Sequence, residues 1–148
     1  MKVKPNNYIA MEFLSRSVNE GFARTAVAVF AAQLDPTLEE IGDIKTAVSE
    51  AVTNAIVHAY PNELGKVSVR AGIYDDRILE IVVRDWGCGI ENVEKAREPL
   101  YTTGGEERSG MGFTIMESFM DVLIVRSKPQ KGTVVTMKRR IALRTGRR

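Results

Sequence analysis

The stretch "SEAVTNAIVHAY" carries an acid, an amide and the only histidine of the chain, Glu50, Asn54 and His58, at steps of four residues. These are side chains that move protons and hold polar ligands. On an α-helix, four residues advance about 40° beyond a full turn, so the three lie along one slanted ridge. Ile41, Ile44, Val48, Ala51, Val52 and Ala55 form a separate apolar stripe for a core. On its own the ridge admits two accounts, a solvated polar face or one wall of a site. Other stretches also have chemical potential. "RDWGCGI" follows a strand-like run and sets Asp85 before Gly87 and Gly89, a carboxylate beside backbone that can approach a flat ligand closely. It also suits an ordinary turn. "RSGMGFTIM" places Gly110 and Gly112 at a helix start, where free N–H groups and the helix dipole favour an anion. "KGTVV" leads Gly132 and Thr133 into a strand, which alone is a turn. No P-loop, H-E-x-x-H, C-x-x-C or H-R-D signature occurs, and one histidine with one cysteine leaves little material for a zinc site or a Cys-His dyad.

The elements that must position these residues can be read in outline. A chain of 148 residues, 44% hydrophobic and 27% charged, suits one globular domain. A net charge of +2 makes no general demand for nucleic acid, although Lys138, Arg139, Arg140, Arg144, Arg147 and Arg148 bunch at the end. That bunching reads as a solvated tail over residues 141–148 after a single domain over 1–140, or as a docking arm for an acidic partner. The N-terminus lacks the apolar core of a secretory signal, no segment has the apolar length of a membrane span, and Cys88 has no second cysteine to pair with. The expectation is a cytoplasmic protein.

Tyr8–Leu14 alternates as a first strand. Ser17 and Glu20 have the spacing of a capping box opening a helix to about Gln33, and Thr37 and Glu40 repeat that signal for the ridge helix, which Pro61 ends. "KVSVRAGIY" and "RILEIVVRD" read as strands joined by a hairpin turn at Asp75-Asp76. A glycine-rich irregular stretch from Trp86 to Gly110, with a short helix near Val93 to Arg97, precedes a helix from about Met111 to Met120. Strands "VLIVRS" and "TVVTMKR" follow, turning at Lys131-Gly132. Strands in consecutive pairs imply hairpins, hence an α+β fold: a two-layer sandwich with a mixed, mostly antiparallel sheet covered on one face by helices. A doubly wound sheet would need strict alternation of strand and helix.

Taken as an ordered set, the E-x-x-x-N helix, D-x-G-x-G after a strand, a glycine-rich loop, G-x-G opening a helix and a late Gly-Thr resemble the ATP-binding domain of the GHKL ATPases. This is the Bergerat fold of gyrase B, Hsp90, histidine kinases and MutL, and the resemblance spans roughly residues 8 to 139. "SEAVTNAIVHAY" and "ERSGMGFTIM" look most like its anti-sigma kinase branch, directed at a sporulation sigma factor of the sigma-F type. The resemblance implies a homodimeric protein-serine kinase that uses ATP with Mg²⁺, phosphorylates an anti-anti-sigma factor and holds a sigma factor inactive. It implies that Asp85 accepts a hydrogen bond from the adenine amino group with Thr133 supporting that edge, and that Gly87 and Gly89 let base and backbone approach. Asn54 would ligate Mg²⁺ and Glu50 would accept the proton of the attacking serine. His58 would touch phosphate or hold a structural hydrogen bond. Thr102, Thr103, Arg108 and Ser109 would form a lid, with Gly110 and Gly112 cradling phosphate.

The relatives' lid continues from its two threonines with lysine and proline; here "TTGGEERSG" has Gly104-Gly105 and is one residue shorter. Cys88 reads as a small buried filler. Arg24, ringed by Glu20, Gly21, Ala28 and Ala31, is either a solvated surface arginine or a partner-docking residue. Three rivals to the kinase remain: an ATP-switched sigma-binding protein without catalysis, a detached histidine-kinase catalytic domain, and a basic nucleic-acid module resting on the tail alone.

Overall fold

The period-two and helical patterns both appear in the computed structural model, which describes residues 3–98 and 112–144. In chain order these form β1 (Asn7–Leu14), α1 (Val18–Ala31), α2 (Leu38–His58), β2 (Lys66–Tyr74), β3 (Ile78–Asp85), α3 (Val93–Ala96), α4 (Gly112–Phe119), β4 (Val122–Lys128) and β5 (Gly132–Arg140). One five-stranded sheet results, in the order β1-β2-β3-β5-β4. The mixed, mostly antiparallel sheet expected from consecutive strand pairs appears with all neighbouring pairs antiparallel. The last strand inserts between β3 and β4, and its register sets Asp85 opposite Thr133.

The helices pack on one face of the sheet. Val27 of α1 and Val48 and Val52 of α2 meet Val67, Val69, Leu79, Ile81 and Met137 of the strands, all fully buried. Each such side chain contributes about 1.5–3 kcal/mol by leaving water. The ridge helix is fixed in position by its apolar stripe, of which Ile44, Val48, Ala51, Val52 and Ala55 are buried and Ile41 partly so. Its start is fixed by Thr37, whose hydroxyl accepts the Glu40 N–H at 3.0 Å while the Glu40 carboxylate accepts the Thr37 N–H at 2.9 Å.

The matching signal at Ser17 does not form a capping box. Ser17 has helical backbone angles (φ −58°, ψ −32°) and makes no side-chain cap, and the Glu20 carboxylate turns to Arg24 instead. The hairpin between β2 and β3 turns one residue later than expected, at Asp76 and Arg77, both with positive φ. Arg77 is therefore a turn residue, and its guanidinium donates to the carbonyls of Leu34, Ile141 and Ala142. Much of the basic C-terminus is tied down as well. Arg139 binds Asp43 at 2.8 Å and the Phe119 carbonyl at 2.7 Å, Ile141 is fully buried, and the Ala142 N–H reaches Glu40 at 3.2 Å. Packing thus continues past Arg140. Arg144 lies near Asp35, at 3.6 Å, while Arg147 and Arg148 lie outside the described residues.

Candidate functional site

Alternation along β3 turns Leu79, Ile81, Val83 and Asp85 toward the helices, and all are buried. Asp85 is the one acid in that series. Its Oδ1 accepts the N–H of Gly87 at 3.0 Å and that of Thr133, across the sheet, at 3.2 Å. Burial pushes its pKa above the ordinary aspartate range, against the pull of these two hydrogen bonds.

The loop after Asp85 is held against the C-terminal end of α2. Cys88 N–H donates to the Ala59 carbonyl at 2.9 Å, the Cys88 thiol donates to the His58 carbonyl at 3.1 Å, and the Trp86 N–H donates to the Tyr60 hydroxyl at 2.8 Å. A side chain at Gly87 would collide with the Ala59 carbonyl. Gly89 and Gly132 adopt φ of +75° and +94°, and a Cβ there would strike the carbonyls of Lys128 and Asp85 respectively. The glycines of the aspartate loop therefore let three segments close around one point. Cys88 is only partly buried and borders the cleft, so it is not the buried filler expected. The Trp86 ring lies under the cations of Lys66 and Arg84, with centroid distances of 4.4 and 4.8 Å.

Between α2, the Asp85 loop and α4 opens a cleft of about 780 Å³, lined by Asn54, His58, Asp85, Gly89, Gly112 and Thr133 among others. That volume lies within the range of small-ligand sites, roughly 300–1,000 Å³. Glu50 does not line it directly. It meets the cleft at the N-terminal end of α4, where a Cβ on Gly112 would stand 3.4 Å from Glu50 Oε1 and 3.2 Å from Asn54 Nδ2. The structure thus brings Asn54, His58, Asp85, Gly89, Gly112 and Thr133 around one cavity, with Gly87 beside Asp85 and Glu50 beside Gly112. Arg24 is elsewhere, on α1, its Nε 3.3 Å from Glu20 Oε2. Thr102, Thr103, Arg108, Ser109 and Gly110 lie outside the described residues.

Three participants were not anticipated from the sequence. Tyr60 clamps the loop, donating to the Lys66 carbonyl at 2.7 Å as it accepts from Trp86. Lys95 of α3 brings a cation to the cleft wall. Ser127 of β4 bonds to the Thr133 hydroxyl at 2.8 Å. Only Ser127 had a usable signal, because the β4–β5 hairpin fixes it opposite Thr133.

Comparison with known proteins supports the same picture from outside the geometry. Residues 13–139 match the family model described as a histidine kinase-like ATPase domain. The chain is 62% identical over 137 residues to a protein of Caldanaerobacter subterraneus subsp. tengcongensis named anti-sigma F factor, covering 92% of this chain and 95% of that protein. It is 59% identical over 138 residues to the anti-sigma F factor of Clostridium acetobutylicum, covering 93% and 96% respectively. Among solved structures, the RsbU and RsbW domains of a Mycobacterium tuberculosis protein match with a TM-score of 0.66 at 19% identity, covering 93% of this chain and 32% of that one, a likeness of fold. With the family model spanning most of its length and relatives this similar end to end, the chain belongs to the histidine kinase-like ATPases and, within them, to the anti-sigma F factor family.

Proposed function

We propose that this protein is an ATP-dependent protein-serine kinase that phosphorylates an anti-anti-sigma factor and, as an anti-sigma factor, binds and inhibits a sigma factor of the sigma-F type. The observation that carries the reading is the polarity of the cleft. A buried carboxylate paired with Thr133 lines it, and so does an amide, beside an acid that approaches Gly112, the first residue of α4. Such a cleft suits a nucleotide lying with its base at Asp85 and its phosphates at α4, where the helix dipole favours anions.

In this reading Asp85 accepts from the adenine amino group, and Gly87 and Gly89 let the base approach. Asn54 offers an amide oxygen to Mg²⁺, with the remaining ligands drawn from phosphate and water, as that ion commonly arranges. The residues fit this, since Asn54 has its amide oxygen at the α4 end, 3.4 Å from where a Cβ on Gly112 would stand. Bound there, the ion would neutralise phosphate charge. The serine oxygen of the partner attacks the γ-phosphorus, the bond to the β-phosphate oxygen breaks to release ADP, and Glu50 takes the serine proton. His58, Thr102, Thr103, Arg108, Ser109 and Gly110 complete the phosphate end.

Both protein partners, and homodimerisation, are inferred from the family. Exposed apolar residues Leu14, Val18, Phe22 and Val29 around β1 and α1 support a protein-binding role for this surface, and Arg24 stands on another face of the same helix. No described helix is long and apolar enough to cross a membrane.

The test is incubation with γ-labelled ATP, Mg²⁺ and an anti-anti-sigma protein. Transfer of label to a partner serine is expected. Tight nucleotide and sigma binding without phosphoserine would replace the kinase with a binding-only switch.

A further inference from the structure

Alternation along the strands puts every second residue on the face of the sheet turned away from α1 and α2. On β3, β5 and β4 these include Val82 and Arg84, Val134 and Thr136, and Ile124 and Arg126. The registers set them in two rows across the sheet: Val82, Thr136 and Ile124 in one, Arg84, Val134 and Arg126 in the next. Neighbouring strands lie about 4.8 Å apart, so the backbones carrying the two arginines are ~10 Å from each other, with β5 between them. Both arginines are exposed, and so are Ile124 and, further along β4, Val122. The result is an apolar floor over β5 with a cation on either side.

The rest of this face has the same sign. Lys66 and Arg70 of β2 and Arg140 of β5 are exposed on it, whereas the acids on its strands are already held, Glu12 by Lys66 at 3.6 Å and Glu80 by Lys138 at 3.7 Å. With a net charge of only +2 on the whole chain, positive charge is concentrated here. Two copies of such a face would set cations against cations. Single-stranded nucleic acid needs open rings on which to stack, and here Arg70 covers Tyr8 at 4.0 Å and Arg84 covers Trp86 at 4.8 Å. A phosphate chain would also leave the apolar floor unused. A helix with an apolar stripe between carboxylates matches both features, being about 10–12 Å across with its side chains. We propose that the open face over β3, β5 and β4 docks an acidic amphipathic helix of a partner protein, its apolar stripe on Val82, Val134 and Ile124 and its carboxylates on Arg84 and Arg126. The site is separate from the cleft, which lies on the helix side of the sheet.

The probe for the experiment is a labelled synthetic helix of about 20 residues, ~30 Å long and so matched to the strands, with leucines along one face and glutamates on the other. Fluorescence anisotropy follows its binding to the full chain at about 0.15 M salt, where distant surface charges are screened. Binding is expected. Arg126→Glu should weaken it by about five- to tenfold, through one lost pair and one new repulsion, and Arg126→Ala by less. Ile124→Ser should weaken it by about threefold or more through lost apolar contact. All three variants should keep the wild-type melting temperature and ADP affinity, because both positions are exposed and outside the cleft. A probe with its leucines changed to serine, at the same charge, should bind more weakly than the leucine probe. Equal binding of the serine probe would make the face a general polyanion surface and overturn the helix site. So would binding of oligothymidylate or phosphatidylglycerol vesicles with the same sensitivity to Arg126→Glu. Failure of the leucine probe to bind wild type, or undiminished binding by the folded variants, overturns it too.

Discussion

Gly112 packs directly on Asn54: a methyl group on its Cα would stand 3.2 Å from Asn54 Nδ2 and 3.4 Å from Glu50 Oε1. This spacing is tighter than ordinary contact, so the start of α4 and the polar ridge of α2 are fitted to each other. Gly112→Ala should displace one of them by a few tenths of an ångström. Alanine also favours helix over glycine by up to about 1 kcal/mol. The expected result is a variant as stable to urea as wild type, within about 1 kcal/mol, that binds Mg-ATP less tightly. Unchanged Mg-ATP affinity would show that the close approach has no part in the phosphate end.

The buried carboxylate at the other end links function to stability. In the folded chain burial raises the pKa of Asp85 above 3.8. A carboxyl shifted upward stabilises the fold fully below its unfolded pKa, and that contribution is lost as pH rises through the folded value. Near neutral pH the ionised group is a cost carried by the nucleotide-free protein. Asp85→Asn should therefore melt at or above the wild-type temperature at pH 7 without nucleotide, with the advantage shrinking as pH falls toward 3.8. The same variant should lose adenine-nucleotide affinity by about 10- to 150-fold, the loss of a hydrogen bond to a charged group. Parallel melting and binding measurements check both signs.

What could be read from the sequence was whatever is encoded locally. The ridge of Glu50, Asn54 and His58 and the apolar stripe beside it follow from helical period alone, and the Thr37 capping box formed as spaced. An identical spacing at Ser17 failed, because capping needs an extended backbone at the cap residue. Thr37 has that, with ψ of 166°, and Ser17, with ψ of −32°, does not. The pairing of Asp85 with Thr133 was visible only through the family resemblance. It depends on β5 inserting beside β3, and no local pattern records that order. Tyr60 and Arg77 were missed for a related reason. Each acts through carbonyls or N–H groups of segments distant in sequence, which every residue possesses and no motif marks.

Arg24 tests the partner-facing side independently of the cleft. Its contact with Glu20 is an i,i+4 pair with the arginine side chain 40% exposed. Such pairs contribute only about 0.2–1 kcal/mol. Arg24→Ala should thus leave the melting temperature and nucleotide affinity nearly unchanged. If Arg24 anchors a partner, binding of the sigma factor or the anti-anti-sigma factor should weaken by at least about 2 kcal/mol, roughly 30-fold. Pull-down or calorimetry with both partners decides it, and unaltered binding of both returns Arg24 to an ordinary surface pair.

Glu50 separates proton transfer from binding. Glu50→Gln keeps the size and polarity of the side chain beside Gly112 but removes its ability to accept a proton. Asn54, Asp85 and Thr133 keep their places, since Asp85 and Thr133 hold each other across the sheet and Asn54 is fixed by the helix stripe. General-base assistance is worth about 10²–10⁴-fold in rate. Phosphorylation of the partner serine should fall by that factor at saturating Mg-ATP, while the affinities for nucleotide and for the sigma factor hold. Single-turnover measurement isolates the chemical step from product release, so the loss should appear there in full. A variant that transfers phosphate at near the wild-type rate would remove Glu50 as the base. The proton would then have to pass to another group of the cleft, and His58, about two turns further along the same ridge, would be the first substitution to make.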